Sequence, residues 1–100
     1  MAAGAYEVTA EVVRYPGAAA WYFVTLPAEV TDGILARHGG SQRAFGSLPV
    51  SVALGHSVWT TSLFFDTRSE AYLLPVKADV RRRERVDDGD TVTVKIALKR

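Results

Sequence analysis

A cluster of cationic side chains is the strongest chemical signal in this sequence. Lys77 begins the run Lys-Ala-Asp-Val-Arg-Arg-Arg-Glu-Arg, in which Val80 is the apolar residue of a predicted helix. At about 100° per residue, Arg81, Arg82 and Arg85 lie about 100°, 200° and 140° from it. Three guanidinium groups on one outer face are suited to contact the phosphates of a nucleic acid or another anion. The alternative is a solvated helix face whose charge is partly neutralised by neighbouring carboxylates.

The histidines and serines give weaker evidence for a metal or catalytic site. His38 and His56 are the only histidines, and a metal site would need both of them plus a carboxylate, at a spacing that matches no standard ligand pattern. A hydrolytic site would combine Ser62 with a histidine and an aspartate such as Asp66, but the Gly-x-Ser-x-Gly motif is absent from the sequence. No glycine-rich phosphate loop occurs either. We therefore expect no metal, no cofactor and no catalytic residue.

The aromatic residues are the third signal. They would suit a stacking platform for bases or an apolar pocket, although in a small domain most of them must fill the core. Trp21 and Tyr22 are adjacent, as are Phe64 and Phe65, so the two members of each pair point to opposite faces of a strand. One member of each pair should lie outside the core and would mark a contact with a protein or ligand. The candidate contacts for a ligand or partner are Trp21, Trp59 and His56.

Composition limits the class of protein. The 100 residues, 48% hydrophobic and 23% charged, suit one globular domain over residues 1–100. The absence of Cys excludes disulfides, thiolate metal sites and a cysteine nucleophile. The net charge is +1, yet residues 77–100 hold eight Lys and Arg against five Asp and Glu. The longest apolar run, residues 18–24, is far shorter than the ~20 residues of a spanning helix. We expect a soluble protein of the bacterial cytoplasm without membrane contact, since the sequence also lacks a basic N-terminal start.

Hydrophobic alternation predicts the elements that must position these residues. Period-two patterns and turn residues predict six strands, at 6–12, 20–26, 48–54, 58–65, 71–76 and 91–98. Pro27 opens a short amphipathic helix that we expect to end at Gly39-Gly40, and a second helix covers 78–85. Closing a sheet removes exposed edges that so small a chain cannot cover otherwise. The predicted fold is therefore mainly β, a small closed barrel of about six strands with two short helices.

Several segments occur in a characteristic order. They are Trp-Tyr-Phe-Val-Thr-Leu-Pro at 21–27, Phe-Gly-Ser-Leu-Pro-Val at 45–50, Trp-Thr-Thr-Ser-Leu-Phe at 59–64, Tyr-Leu-Leu-Pro-Val-Lys at 72–77, Val-Arg at 80–81 and Gly-Asp-Thr-Val-Thr-Val at 89–94. In this order and spacing they resemble the domain of unknown function 1905 family (DUF1905), small β-barrel domains of bacteria and archaea. The resemblance covers roughly residues 6–98. It implies a closed six-stranded barrel, and it implies neither an established activity nor a catalytic motif.

The C-terminal third has a second, more distant similarity. Leu-Pro-Val-Lys-Ala-Asp-Val-Arg at 74–81, followed by the segment at 89–94, is similar to AbrB-like swapped-hairpin transcription factors. Those proteins bind DNA as dimers of shorter chains. Here the longer preceding chain allows the barrel to close without a second copy. The Asp87-Asp88-Gly89 triplet is also more acidic than a loop that faces DNA should be.

Three functions stay open. The main hypothesis is a non-catalytic barrel module that binds another protein or itself, which predicts an exposed aromatic patch. The second is DNA binding through the basic helix at 78–85 together with Lys77, which predicts affinity that falls steeply with salt. The third is small-ligand binding or hydrolysis at the barrel mouth, which predicts that His56, Ser62 and Asp66 converge on one pocket.

Overall fold

Six strands and two helices make up the computed structural model, which describes residues 5–16, 21–42 and 47–99, with the backbone alone at residues 38–42. The elements are β1 Ala5–Tyr15, β2 Trp21–Thr25, α1 Ala28–Gln42, β3 Ser47–Leu54, β4 Ser57–Asp66, β5 Ala71–Pro75, α2 Ala78–Glu84 and β6 Thr91–Leu98. The strands form a closed barrel in the order β1-β2-β5-β4-β3-β6, and every neighbouring pair is antiparallel. The predicted mainly β fold, a closed barrel of six strands with two helices, is confirmed.

Two element boundaries differ from the prediction by more than one residue, the end of β1 and the end of α1. β1 continues past residue 12 to Tyr15, because its last residues pair with β2, where Tyr15 lies opposite Trp21. The turn that precedes β6 also pairs with this part of β1, since the Gly89 amide donates to the Val12 carbonyl at 2.7 Å. α1 runs through the Gly-Gly pair to Gln42 instead of ending there. Of the loop predicted at 41–47, residues 43–46 lie outside the described residues.

Alternating residues of the strands fill the barrel. Val52 of β3 lies opposite Trp59 of β4 on one side and opposite Ile96 of β6 on the other, and all three are buried. A shift of any strand by one residue would turn its apolar set to solvent, so this core specifies the register. The largest fully buried side chains are Tyr72, Leu26, Ile34, Leu63, Leu74, Ile96, Val8, Val12, Val24, Val50, Val52 and Val80.

The helices cover opposite ends of the barrel. α1 connects the end of β2 to the start of β3, whereas α2 connects the end of β5 to the start of β6. Each helix contributes a buried residue to the core, Ile34 from α1 and Val80 from α2. The Thr31 hydroxyl of α1 also accepts a hydrogen bond of 3.3 Å from the Tyr72 amide. With the interior filled and each end covered, the outer face of the sheet is the principal surface left for recognition.

Candidate binding surface on the outside of the barrel

Aromatic side chains from three strands gather on one outer face of the barrel, beside Leu73 of β5. Across the β1–β2 pair, Tyr15 lies opposite Trp21, and across the β4–β5 pair, Phe64 lies opposite Leu73. Directly paired residues point to the same side of a sheet, so these registers carry the side chains to one surface. Trp21 is 55% exposed, Phe64 45% and Tyr15 38%. We call Tyr15, Trp21, Phe23 and Phe64 the aromatic surface.

Phe23 is the centre of this surface. Its ring stacks on Trp21 with centroids 6.0 Å apart and an interplanar angle of 8°. Tyr15 meets the same ring edge-on, with centroids 5.0 Å apart and an angle of 75°. Both arrangements are favourable for aromatic pairs, so they stabilise Trp21 and Tyr15 in the positions that the structure shows. Together with Leu73 and Pro16, the aromatic surface lines a shallow groove of about 400 Å³.

The size of the aromatic surface limits what it can hold. A whole aromatic side chain covers about 150–250 Å², so the exposed fractions of three rings leave roughly 300 Å² in solvent. Contiguous apolar patches of about 300–600 Å² are the largest on typical monomers and are often functional. A standard protein–protein interface needs about 800 Å² from each partner. The aromatic surface therefore matches a short segment better than a second globular face.

A second groove adjoins the aromatic surface at Trp21. It has a volume of about 470 Å³ and is lined by Trp21, Tyr22, Pro75, Val76, Lys77, Ala78 and Arg81. The Arg81 guanidinium lies over the Tyr22 ring, with Cζ 3.5 Å from the centroid. Its Nη1 donates to the Val76 carbonyl at 2.7 Å. We call this the basic groove, since its ionisable lining groups, apart from the tyrosine, are one lysine and one arginine.

The remaining arginines of α2 have separate contacts. Arg82 forms an exposed ion pair of 2.9 Å with Asp79, one turn earlier on the same helix. The Nε of Arg83 donates to the Ser57 hydroxyl at 3.0 Å. Arg85 is exposed and ends α2 in the left-handed conformation, with φ of 58°. Arg81, Arg82 and Arg85 do line one shallow groove of about 390 Å³, together with Asp87. They do not form a uniform cationic face, because Arg81 is half-buried over an aromatic ring and Arg82 is already paired.

A carboxylate latches α2 to the β3–β4 turn. Glu84 accepts hydrogen bonds from the buried Ser57 hydroxyl at 2.6 Å and from the His56 amide at 3.2 Å. The Ser57 hydroxyl bond, with smaller contributions from His56 and Arg83, holds the pKa of Glu84 below its usual range. Gly55 makes room for the carboxylate, because a β-carbon there would overlap with it. We call this set of contacts the Glu84 latch.

The three residues expected at a barrel mouth do not converge. His56 lies in the β3–β4 turn and Asp66 at the far end of β4, a strand of ten residues, so roughly 30 Å separates them. Ser62 lies between them, half-buried, at a position that alternates with the buried Leu63. Asp66 accepts hydrogen bonds from Ser69, whose hydroxyl donates at 2.7 Å, and so has a local role in the β4–β5 turn.

The two other residues predicted at a site, Trp59 and His38, lie in the core and in α1. Trp59 is only 9% exposed and belongs to the core, where its indole nitrogen has no hydrogen-bond partner among the described residues. His38 lies within α1, and its side chain is outside the described part of the structure. No group of three potential metal ligands occurs among the residues that the structure describes. Over the same residues, neither helix is long and apolar enough to cross a membrane.

Sequence reasoning missed two components of these sites. Tyr15 was not singled out, because its contact with Phe23 depends on β1 extending into the hairpin with β2. The Glu84 latch was also missed, since Glu84 is far in sequence from Gly55 and Ser57. The Gly-His turn was visible as a turn signal, but nothing in the sequence identified the carboxylate that packs against it.

Comparison with protein families gives a match over most of the chain. The family described as Domain of unknown function (DUF1905) matches residues 9–96. This range runs from within β1 to within β6 and contains both the aromatic surface and the basic groove. Among curated proteins, no significant match is found.

Proposed function

We propose that this chain, which belongs to the DUF1905 family of domains of unknown function, is a non-catalytic binding module that holds a short segment of another protein against its aromatic surface. The observation that carries the proposal is the 55% exposed Trp21, stacked on Phe23 at the edge of an apolar groove. Tryptophan and tyrosine dominate binding energy at protein interfaces because they bury a large area at low entropic cost. The expected setting, the bacterial cytoplasm, stays part of this proposal and rests on the composition.

The area of the surface supports a segment as the occupant in preference to a second copy. The exposed rings provide roughly 300 Å², well below the ~800 Å² that each side of a standard interface supplies. A groove lined by aromatic rings suits the apolar side chains of a peptide, which enter it one or two at a time. Self-association is therefore an outcome to be tested and not the function we propose.

DNA binding through residues 77–85 stays a prediction. The contacts of α2 favour it less than the aromatic surface favours a peptide, since Arg82 is paired with Asp79 and Asp87 lines the same groove as the arginines. A nucleic acid is bound tightly when several Lys or Arg side chains contact its phosphates together and displace the counterions around them.

Selection of peptides from a random display library on the immobilised protein tests the proposed function. We expect enriched clones to share apolar or aromatic anchors and to lose binding on the Trp21→Ser variant. Val58→Ser is the matched control: Val58 is 71% exposed and pairs with Ala53 of β3, at a register that contributes nothing to the aromatic surface. Binding should be unchanged in this control.

Two results would contradict the proposal. One is a selection without enrichment, or with clones that bind Trp21→Ser as tightly as the original protein. The other is a concentration-dependent dimer in sedimentation experiments that Trp21→Ser abolishes, since the aromatic surface would then be occupied by a second copy of this chain.

A further inference from the structure

We infer that the segment bound by the aromatic surface carries a carboxylate beside its apolar anchor, and that the basic groove receives this carboxylate. The inference rests on the proposed function and adds the chemical class of the partner. Its geometric basis is that the two grooves share a wall: Trp21 lines both of them. A peptide that places an apolar side chain against Phe23 has its neighbouring residues within reach of the basic groove.

Charge makes the basic groove selective. Lys77 and Arg81 line it, and none of its lining residues is acidic. The nearest carboxylate along α2, Asp79, is already engaged by Arg82. The chain as a whole is only +1, so two unopposed cations in one groove are a local feature and not a consequence of net charge. An anionic group is the complementary occupant.

The Arg81 side chain is preorganised to bind a carboxylate. Its guanidinium is held over the Tyr22 ring and donates to the Val76 carbonyl, so its position is set before a ligand arrives. A guanidinium has five N–H donors in a planar fork, and the contacts among the described residues use one of them. A fixed fork loses little entropy when it binds a carboxylate in two-pronged geometry.

A protein carboxylate fits the site better than a nucleic acid phosphate. The apolar groove beside the basic groove offers no cation along its length, since it is lined by Tyr15, Pro16, Trp21, Phe23, Phe64 and Leu73. A nucleic acid strand that contacted Trp21 would carry its phosphates across that apolar wall, and the groove on the other side of Arg81, lined also by Arg82 and Arg85, contains Asp87. A peptide, in contrast, can alternate apolar and acidic side chains. We therefore commit to an acidic segment of a partner protein and treat DNA as a competing outcome.

Two peptide libraries test the inference, one that allows Asp and Glu and one that replaces both with Asn and Gln. The best clone of the first library is synthesised with its acidic residues and again with the corresponding amides. Binding of both peptides is measured by fluorescence anisotropy on the original protein and on the Trp21→Ser, Lys77→Gln and Lys95→Gln variants. Lys77 is exposed and makes no side-chain capping bond, so we expect its replacement to leave the fold intact. Lys95 is an exposed lysine of β6 opposite Glu7 of β1 and is the matched control.

We expect the amide peptide to bind about two- to five-fold more weakly than the acidic one, the range for an exposed charge pair. Lys77→Gln should weaken the acidic peptide by a similar factor and leave the amide peptide unchanged, whereas Lys95→Gln should change neither. Equal affinity of the two peptides, with binding still lost in Trp21→Ser, would overturn this inference and leave the proposed function standing. Loss of Trp21 dependence would overturn both. Displacement of the acidic peptide by a DNA duplex at physiological salt would also overturn the inference, in favour of a phosphate ligand.

Discussion

Replacement of Gly55 by alanine should destabilise the protein more than replacement of Gly89, and the excess should come from Glu84. Both glycines have positive φ, 59° at Gly55 and 90° at Gly89. A β-carbon at Gly55 would overlap with the Glu84 carboxylate, whereas one at Gly89 meets no described atom within 4 Å. Alanine at position 55 therefore displaces the carboxylate from the His56 amide and the Ser57 hydroxyl.

Backbone strain alone predicts the opposite order. The left-handed conformation costs an alanine about 1–2 kcal/mol, and its well lies near φ of about +50° to +70°. Gly55 lies within that well and Gly89 lies outside it, so on conformation alone Gly89→Ala is the costlier change. Alanine also lowers the conformational entropy of the unfolded chain, which stabilises the folded state of both variants by roughly 0.4–1 kcal/mol. Gly89→Ala should then cost at least about 1 kcal/mol, with about 4–8 °C in Tm for each kcal/mol in a domain of this size. Gly55→Ala should exceed that value because it also breaks the Glu84 latch.

Urea unfolding followed by circular dichroism measures both costs. The two glycine variants are compared in the original protein and again in a Glu84→Ala background. With Glu84 removed, we expect the excess cost of Gly55→Ala to disappear and the two glycine substitutions to follow the order that backbone conformation predicts. If Gly55→Ala costs no more than Gly89→Ala while Glu84 is present, the carboxylate does not hold α2 to the turn and the reasoning fails.

Three further predictions concern the packing of the core, the pH dependence of stability and the binding of DNA. Leu63→Ala empties a fully buried position and should lower the free energy of unfolding by about 2–5 kcal/mol in urea, whereas Val58→Ala on the exposed face should stay within about 0.5 kcal/mol. The pKa of Glu84 is lowered from 4.5 by the Ser57 hydroxyl, so its ionised form adds stability that is complete above that pH and is lost as pH falls below it. Glu84→Gln should therefore flatten the pH dependence of unfolding in the acid range, and an unchanged slope would contradict the assignment. Amide NMR titration with a mixed-sequence DNA duplex tests residues 77–85: saturable shifts that fade with salt would support DNA binding, and their absence at low salt would end that hypothesis.

The fold was accessible from the sequence because the strands have one buried and one open face. β6 shows this directly: Val92, Val94 and Ile96 alternate with exposed residues, and the structure buries all three. β5 was predicted from a continuous apolar run, and every residue of Ala71–Pro75 is buried. The strand order was not predicted, since antiparallel strands far apart in sequence, such as β1 and β6, pair through contacts that no local pattern records.

The candidate site was predicted only in part. Adjacent aromatic pairs imply that one member of each lies outside, and Trp21 and Phe64 are indeed the exposed members. Their meeting on one surface with Tyr15 depends on the register of three strand pairs, which the sequence does not encode locally. Trp59 is the converse case, a residue predicted to contact a ligand or partner that the structure buries. Its aromatic character favoured a contact, but it lies at one of the inward-facing positions of β4 and belongs to the core.

The barrel architecture restricts which surface of this domain can bind a partner. A barrel with a packed core and a helix over each end leaves its outer residues as the main place where function can vary. Exposed aromatic rings favour association and aggregation, which makes them costly to keep on a surface without a role. Here Phe23 fixes Trp21 from one side, and Arg81, on the helix that Glu84 latches to the barrel, lines the groove on the other. Loss of the latch should therefore weaken binding of an acidic peptide more than binding of its amide form, because it loosens the cation and leaves the aromatic surface in place.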